Sequence, residues 1–192
     1  PGQLAGAVGQ FPPQWQASAQ WKSRGGETLL ALQAASPTGL KKAAQSLRAR
    51  LPAELYGTGD TSLAAAAVDA LERHNKLLVC SDAAAGALLE ERLETVPGAE
   101  KVYDFGAVSY AHPKTGLLIE KRARQRLERA PGHEDDPARL ALARALAARR
   151  VVGAELSAGC GVRENGEHVL VLATKKGCWM RTVPAGENAA LW

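Results

Sequence analysis

Residues 77–98, LLVCSDAAAGALLEERLETVPG, run from an apolar strand pattern through a turn of small residues into a helical pattern. The strand is predicted over 76–80 and the helix over 84–96, with Pro97-Gly98 as its stop. The helix is predicted to bury three leucines: Leu88, Leu89 and Leu93. A turn at a helix N-terminus presents free N–H groups to a phosphate or an oxyanion. Here the centre of the turn is Ala83-Ala84-Ala85, so this geometry carries only methyl side chains.

The elements around this turn alternate between helices and strands. The predicted elements are helix 62–75, strand 76–80, helix 84–96, strand 101–110, helix 115–130, helix 137–150 and strands 151–158, 167–174 and 178–183. Pro137 stands at the first position of its helix, where its missing N–H costs nothing. The alternation predicts an α/β fold with three layers, α/β/α. Asn165-Gly166 predicts a hairpin, so the sheet is expected to be mixed.

The N-terminal part of the chain has a different pattern. Residues 1–58 are predicted to form a small α+β domain, with two strands around Gly25-Gly26 and a helix over 36–51. Its helix is predicted to bury Leu40, Ala44, Leu47 and Leu51. The segment 56–62 is predicted as a linker in which Asp60, Thr61 or Ser62 caps the next helix. The second domain is then expected over 59–192.

The composition is that of an ordinary globular protein. The chain has 192 residues, 46% of them hydrophobic, and a formal net charge of +4. The three cysteines, Cys80, Cys160 and Cys178, have neither paired spacing nor histidines at ligand spacing. The expectation is therefore a reduced, cytoplasmic protein with no metal and no cofactor, and with no signal peptide or apolar run that could cross a membrane. The first residue is Pro1, not Met, which is consistent with a fragment or a processed chain.

The run GALLEERLETVPGAEKVYDFGAVSYAHPKTGLL, residues 86–118, resembles the C-terminal domain of the CinA family, the competence/damage-inducible proteins related to nicotinamide-nucleotide amidohydrolases. That family carries a pattern like A-E-S-C-T-G-G-L-L-x-x-R-L-x-x-V-P-G, followed by V-V-x-Y-S-N-x-x-K. The ungapped matches are Gly86, Leu88-Leu89, Arg92-Leu93, Val96-Pro97-Gly98, Val108 and Tyr110. Residues 1–55 look like the small KH-like or linker unit that joins the family's larger domains, although no well-formed G-x-x-G loop of the KH kind is present.

The resemblance implies the chemistry of nicotinamide mononucleotide deamidase, which hydrolyses a carboxamide to the acid and ammonia. In active relatives the Ser of S-C-T-G-G is the proposed nucleophile and the Lys of Y-S-N-x-x-K its activating base. In this chain the nucleophile position is Ala83 and the preceding Glu is Asp82. Tyr110 is kept, but the Lys position is Thr115, with Lys114 one residue early.

Two further family segments are altered. The glycine loop V-T-G-I-A-G-P-G-G corresponds to the shorter LSAGCGVREN, residues 156–165, in which Ser157 replaces the Thr and Gly161 one Gly. The family's terminal G-D-R run has no counterpart in 180–192. The resemblance therefore predicts the fold of the enzyme without its catalytic residues. The expected ligand-binding positions are Asp82, Ala83, Gly86, Tyr110, Lys114, Ser157 and Gly161.

Ser81 is the weak candidate for a relocated nucleophile. It lies two residues before Ala83, and on an extended strand two residues keep the same face. The displacement of about 6–7 Å along the strand, however, greatly exceeds the tolerance of about 1 Å in a catalytic arrangement. No catalytic residue is therefore predicted.

Three functions remain open from the sequence. The leading one is a pseudoenzyme of the CinA type that keeps a pyridine-nucleotide or other small-phosphate ligand, or a partner surface, and forms a homodimer. The first alternative is an active amidohydrolase on nicotinamide mononucleotide or a related pyridine nucleotide. The second alternative is a basic adaptor for DNA in competence or repair, suggested by a cationic helix without aromatic residues for base stacking. Its basic residues are Lys121, Arg122, Arg124, Arg126 and Arg129.

Overall fold

The computed structural model describes residues 2–24, 27–52, 54–105, 113–129 and 136–184. The chain divides into two compact units, one up to Asp60 and one from Thr61 onwards. No helix within the described ranges is long and apolar enough to cross a membrane.

The first unit is a two-stranded antiparallel sheet with two helices. Its elements are α1 (Gly2–Gly9), a 3-10 turn (Pro13–Trp15), β1 (Ala17–Arg24), β2 (Glu27–Ala34) and α2 (Pro37–Arg50). The strands pair in one register from Ala17 opposite Ala34 to Arg24 opposite Glu27. Both predicted strands and the predicted helix are therefore confirmed. The turn at Gly25-Gly26 lies outside the described residues.

The buried face of α2 differs from the prediction at two of its four positions, because Gly39 and Ala43 are buried where Leu40 and Ala44 were expected, and Ala44 is only half-buried. This face contains Gly39, Ala43, Leu47 and, just after the helix, Leu51, whereas Leu40 is 39% exposed. A side chain at position 39 would place its Cβ 2.5 Å from the carbonyl oxygen of Trp15. The helix therefore packs its glycine against the 3-10 turn, and this close contact carries Leu40 away from the core.

The second unit contains a four-stranded mixed sheet. Its strands are β3 (Leu78–Cys80), β4 (Leu156–Val162), β5 (His168–Thr174) and β6 (Cys178–Val183), in the order β3-β4-β5-β6. Strand β3 is parallel to β4, and the remaining neighbours are antiparallel. The helices are α3 (Leu63–Arg73), α4 (Ala83–Leu93), α5 (Pro113–Glu128) and α6 (Pro137–Val152). The predicted α/β fold with a mixed sheet is confirmed.

Helices cover the sheet on both faces because successive side chains of a strand point in opposite directions. Val79 of β3 packs with Ile119 of α5 and with alanines of α6. Its neighbour Cys80 packs with Val68 of α3 and Leu93 of α4. The α5/α6 face and the α3/α4 face of the sheet are therefore distinct environments.

Three local predictions were wrong. The described part of the predicted strand 101–110, residues 101–105, is not a strand: Tyr103 forms an isolated bridge with Leu78, because the chain leaves Gly98 (φ +88°) in a 3-10 turn. Residues 106–110 lie outside the described residues. Val151 and Val152 end α6 instead of starting a strand, since the left-handed Gly153 caps the helix one residue later. Leu88 is 44% exposed, because Gly86, Leu89 and Leu93 form the inner face of α4 at spacings of three and four residues.

Candidate functional site

The turn between β3 and α4 has the strand-to-helix geometry expected of a binding or catalytic turn. Asp82 is the N-cap of α4, and its Oδ1 accepts the Ala85 amide at 2.8 Å. Ala83 is the first residue of the helix. The Asp82 carboxylate therefore already satisfies one of the free amides of the first turn, and it brings a negative charge to the positive end of the helix. Both effects weaken the binding of a phosphate at this turn, because fewer amides are free and the carboxylate repels the anion.

Ser81 lies on the opposite side of the sheet from α4. Its hydroxyl donates to the carbonyl of Ala158 at 3.0 Å, and its side chain is almost completely buried. A Cβ added to Gly159 would lie 2.7 Å from the Ser81 Oγ and 3.3 Å from the Ala141 carbonyl of α6. The hydroxyl therefore occupies the space between β4 and α6, engaged with a main-chain acceptor.

Two of the predicted ligand positions on β4 lie on this same α5/α6 face. Ser157 is fully buried, and its hydroxyl lies 3.5 Å from the Ala158 carbonyl oxygen. A Cβ on Gly161 would come within 2.5 Å of the Pro137 carbonyl oxygen at the start of α6. The small side chains of β4 therefore allow α6 to pack closely on the sheet, which is a structural role.

On the α3/α4 face, the side chains beside the turn are packed together. The Cys80 thiol lies 3.4 Å from the Asp82 carbonyl oxygen, and Tyr103 is 2% exposed. A Cβ on Gly86 would lie 3.6 Å from the Cys80 Cβ and 4.0 Å from the Tyr103 hydroxyl. The Tyr103 ring meets Phe105 edge to face at a centroid distance of 4.9 Å. Gly86, expected to bind ligand, here faces a packed thiol and a phenol.

Burial controls the acid–base state of these groups. It raises the pKa of the Cys80 thiol to about 11, and the Asp82 carboxylate adds to the increase. Burial also raises the pKa of Tyr103, with smaller contributions from Cys80 and Glu90. The pKa of Cys160 is raised by burial and by the Asp82 charge. All three groups are therefore protonated at neutral pH, and none is an activated nucleophile.

The six predicted ligand positions that the structure describes do not lie on one face of the sheet. Asp82, Ala83 and Gly86 lie at the turn, whereas Ser157 and Gly161 lie on the opposite face of the sheet. Lys114 is exposed in the first turn of α5, and Thr115, at the family's Lys position, is half-buried. Tyr110 lies outside the described residues. Among the described residues no cluster of three or more His, Cys, Asp or Glu could hold a metal ion.

A separate concave site lies between α5 and α6. It is a groove of about 460 Å³ lined by Arg122, Gln125, Arg126, Arg129, Leu146, Ala147 and Arg150. The residues from the α5 segment lie on one face of that helix. Their positive charge is evident from the sequence. Nothing in the sequence pattern connects Arg150 of α6 to that face, because only helix packing brings the two together.

Sequence comparison finds relatives that match part of this chain. A CinA-like protein of Desulfovibrio desulfuricans is 34% identical over 79 residues, which are 41% of this chain and 19% of the relative. A CinA-like protein of Dictyoglomus thermophilum is 31% identical over 71 residues, 37% of this chain and 17% of the relative. The matched region thus spans less than a fifth of the length of these relatives. No family model matches the chain.

Comparison with solved structures gives the same fold. A competence-damaged protein (CinA) superfamily protein from Escherichia coli superposes with a TM-score of 0.52 at 18% identity, covering 70% of this chain and 85% of that one. The competence/damage inducible protein CihA from Agrobacterium tumefaciens gives a TM-score of 0.50 at 16% identity, covering 65% and 80%. At these identities the likeness concerns the fold alone.

Proposed function

We propose that this chain, which is similar to CinA-like proteins over part of its length, is a CinA-type pseudoenzyme, with the fold of nicotinamide mononucleotide deamidase but no deamidase activity. The observation that carries the proposal is the position of the hydroxyl groups around the β3–α4 turn. Ala83 stands where a nucleophile would begin the helix, and the Ser81 hydroxyl is bonded to Ala158 on the other face of the sheet.

Ser81 is a poor substitute for the missing nucleophile for two reasons. Its side chain is buried, and its oxygen faces the space between β4 and α6 instead of the side of the sheet that carries α4. Its proton is donated to a main-chain carbonyl, and no described side chain next to it acts as a base. Amide hydrolysis needs both an accessible hydroxyl and a proton acceptor.

Cys80 is the other nucleophilic side chain beside the turn, and its environment makes it unreactive. Only the thiolate attacks a carbonyl, and burial raises the pKa of this thiol to about 11. Reactive cysteines at helix N-termini have lowered pKa values, so the shift here has the opposite sign. The thiol is also 4% exposed and packed behind Gly86 and Tyr103.

The test measures ammonia and nicotinic acid mononucleotide released from nicotinamide mononucleotide by the purified chain. We expect no release above the protein-free control. The same samples are heated with and without nicotinamide mononucleotide, because a ligand of the folded state raises the unfolding temperature. We expect no increase, since Asp82 already occupies the first turn of α4. Ammonia release that disappears in Ser81→Ala would establish an altered but active amidohydrolase and overturn the proposal.

A further inference from the structure

The groove between α5 and α6 gathers positive charge from two helices. Four of its seven lining residues are arginines: Arg122 and Arg126 on α5, Arg129 directly after its last residue, and Arg150 on α6. Its apolar lining comes from Leu146 and Ala147. The groove therefore combines several cationic groups with a small apolar surface, which is the usual composition of a site for an anionic organic molecule.

The arginines are not spread evenly around α5. Arg122, Gln125, Arg126 and Arg129 follow the spacing i, i+3, i+4, i+7, so they share one face, which extends over about 10 Å of helix. Lys121 and Arg124 belong to the same helix but do not line the groove. The basic residues of this segment therefore fall into two sets: the arginines that line the groove, and Lys121 and Arg124, which do not.

The groove arginines have no carboxylate partners among the described residues. Elsewhere in the unit, Arg144 pairs with Glu120 at 2.5 Å and Arg73 pairs with Asp69 at 2.9 Å. No such ion pair forms at any of the four groove arginines within the described ranges. Like charges three or four residues apart on a helix repel each other. The helix dipole favours Arg150 in the last turn of α6, but it does not account for three further cations converging on the same groove.

We propose that this groove binds the phosphate chain of a small polyphosphorylated molecule. Guanidinium groups make paired hydrogen bonds to phosphate oxygens, and four of them match a chain of several adjacent charges. The groove volume of about 460 Å³ lies in the range of small-molecule sites. Among the described residues no aromatic side chain lines the groove, so they offer none of the stacking contacts that hold single-stranded nucleic acid.

The test titrates inorganic triphosphate into the full chain in a calorimeter and compares two double variants. Arg126→Gln with Arg150→Gln removes one arginine from each wall of the groove. Lys121→Gln with Arg124→Gln removes the same charge from α5 outside the groove. We expect the groove variant to weaken triphosphate binding by about tenfold or more, because charge-assisted contacts are lost. The matched variant should change it by less than about twofold, as expected for exposed charges.

Circular dichroism and the unfolding temperature show whether both variants are folded; all four substituted side chains are exposed, so we expect no change. Absence of triphosphate binding to the unsubstituted chain overturns the proposal. Equal weakening in both double variants also overturns it, because the binding would then follow net charge and not the groove. Tighter binding of a single-stranded oligonucleotide than of triphosphate, weakened equally by both variants, would identify an extended nucleic-acid surface instead.

Discussion

The Ser81 hydroxyl and the Ser81 amide both donate to the carbonyl oxygen of Ala158, at 3.0 Å and 2.8 Å. This pair of bonds continues the β3–β4 pairing by one residue beyond the end of β3, where the chain turns towards α4. It also holds the side chain on the α6 side of the sheet. Ser81, the serine next to the β3–α4 turn, therefore joins strands β3 and β4.

Replacing Ser81 by Ala tests that structural role. The Ala158 carbonyl keeps the amide donor, so we expect a loss of only about 1 kcal/mol in the free energy of unfolding, measured by urea titration. Ser157→Ala is the matched control, because Ser157 is buried on the same face but its oxygen lies 3.5 Å from the same carbonyl. We expect Ser157→Ala to lower the free energy of unfolding by less than Ser81→Ala does. A larger loss for Ser157→Ala than for Ser81→Ala would contradict the assignment.

Gly161→Ala tests the close packing of α6 on β4. The added methyl group would lie 2.5 Å from the Pro137 carbonyl oxygen, which belongs to the backbone and cannot rotate away. We expect the free energy of unfolding to fall by about 1–3 kcal/mol, the usual cost of overpacking. Gly177→Ala is the control, since a Cβ there meets nothing within 4 Å. Equal losses in the two variants would show that the contact with Pro137 does not limit position 161.

Much of the fold follows from local sequence signals. The Asp136-Pro137 start of α6, the hairpin at Asn165-Gly166 and the strand pair around 25–26 are marked by residues whose conformational preferences are strong. The wrong predictions concern positions at which tertiary contacts determine which side chains are buried. Leu40 is apolar and in phase with the core, but the contact between Gly39 and Trp15 turns it outwards.

The candidate site was less predictable than the fold. The sequence indicates that Ala83 replaces a nucleophile, and the structure places it at the start of α4. The sequence does not show on which face of the sheet each position lies. Ser157 and Gly161 were expected near the turn, yet the pleat of β4 directs them towards α6. The arginine groove depends on the packing of two helices, which no single segment encodes.

Asp82 gives a prediction about the N-terminus of α4. Its carboxylate accepts the Ala85 amide at 2.8 Å, so Asp82→Ala leaves that amide without its cap. We expect a loss of about 1 kcal/mol in the free energy of unfolding, whereas Asp82→Asn should lose much less because the amide oxygen can still accept the bond. Chemical denaturation of the two variants side by side makes the comparison. If Asn were as destabilising as Ala, the charge and not the cap would be the stabilising feature.

The buried Cys80 thiol predicts how stability depends on pH in the alkaline range. Burial raises its pKa from 9.0 to about 11 in the folded chain, so the folded state holds the proton over a range in which the unfolded state has released it. The stabilising contribution is complete below pH 9 and is lost as the pH rises through 11, by about 3 kcal/mol in total. Tyr103, whose pKa is also raised by burial, adds a loss of the same sign at higher pH. Urea titrations from pH 8 to about 11 on the unsubstituted chain and on Cys80→Ala test the thiol, because the cavity left by the substitution lowers stability at every pH and does not change the slope. A slope that is unchanged in Cys80→Ala would mean that the thiol titrates normally, and it would reopen Cys80 as a reactive group at the β3–α4 turn.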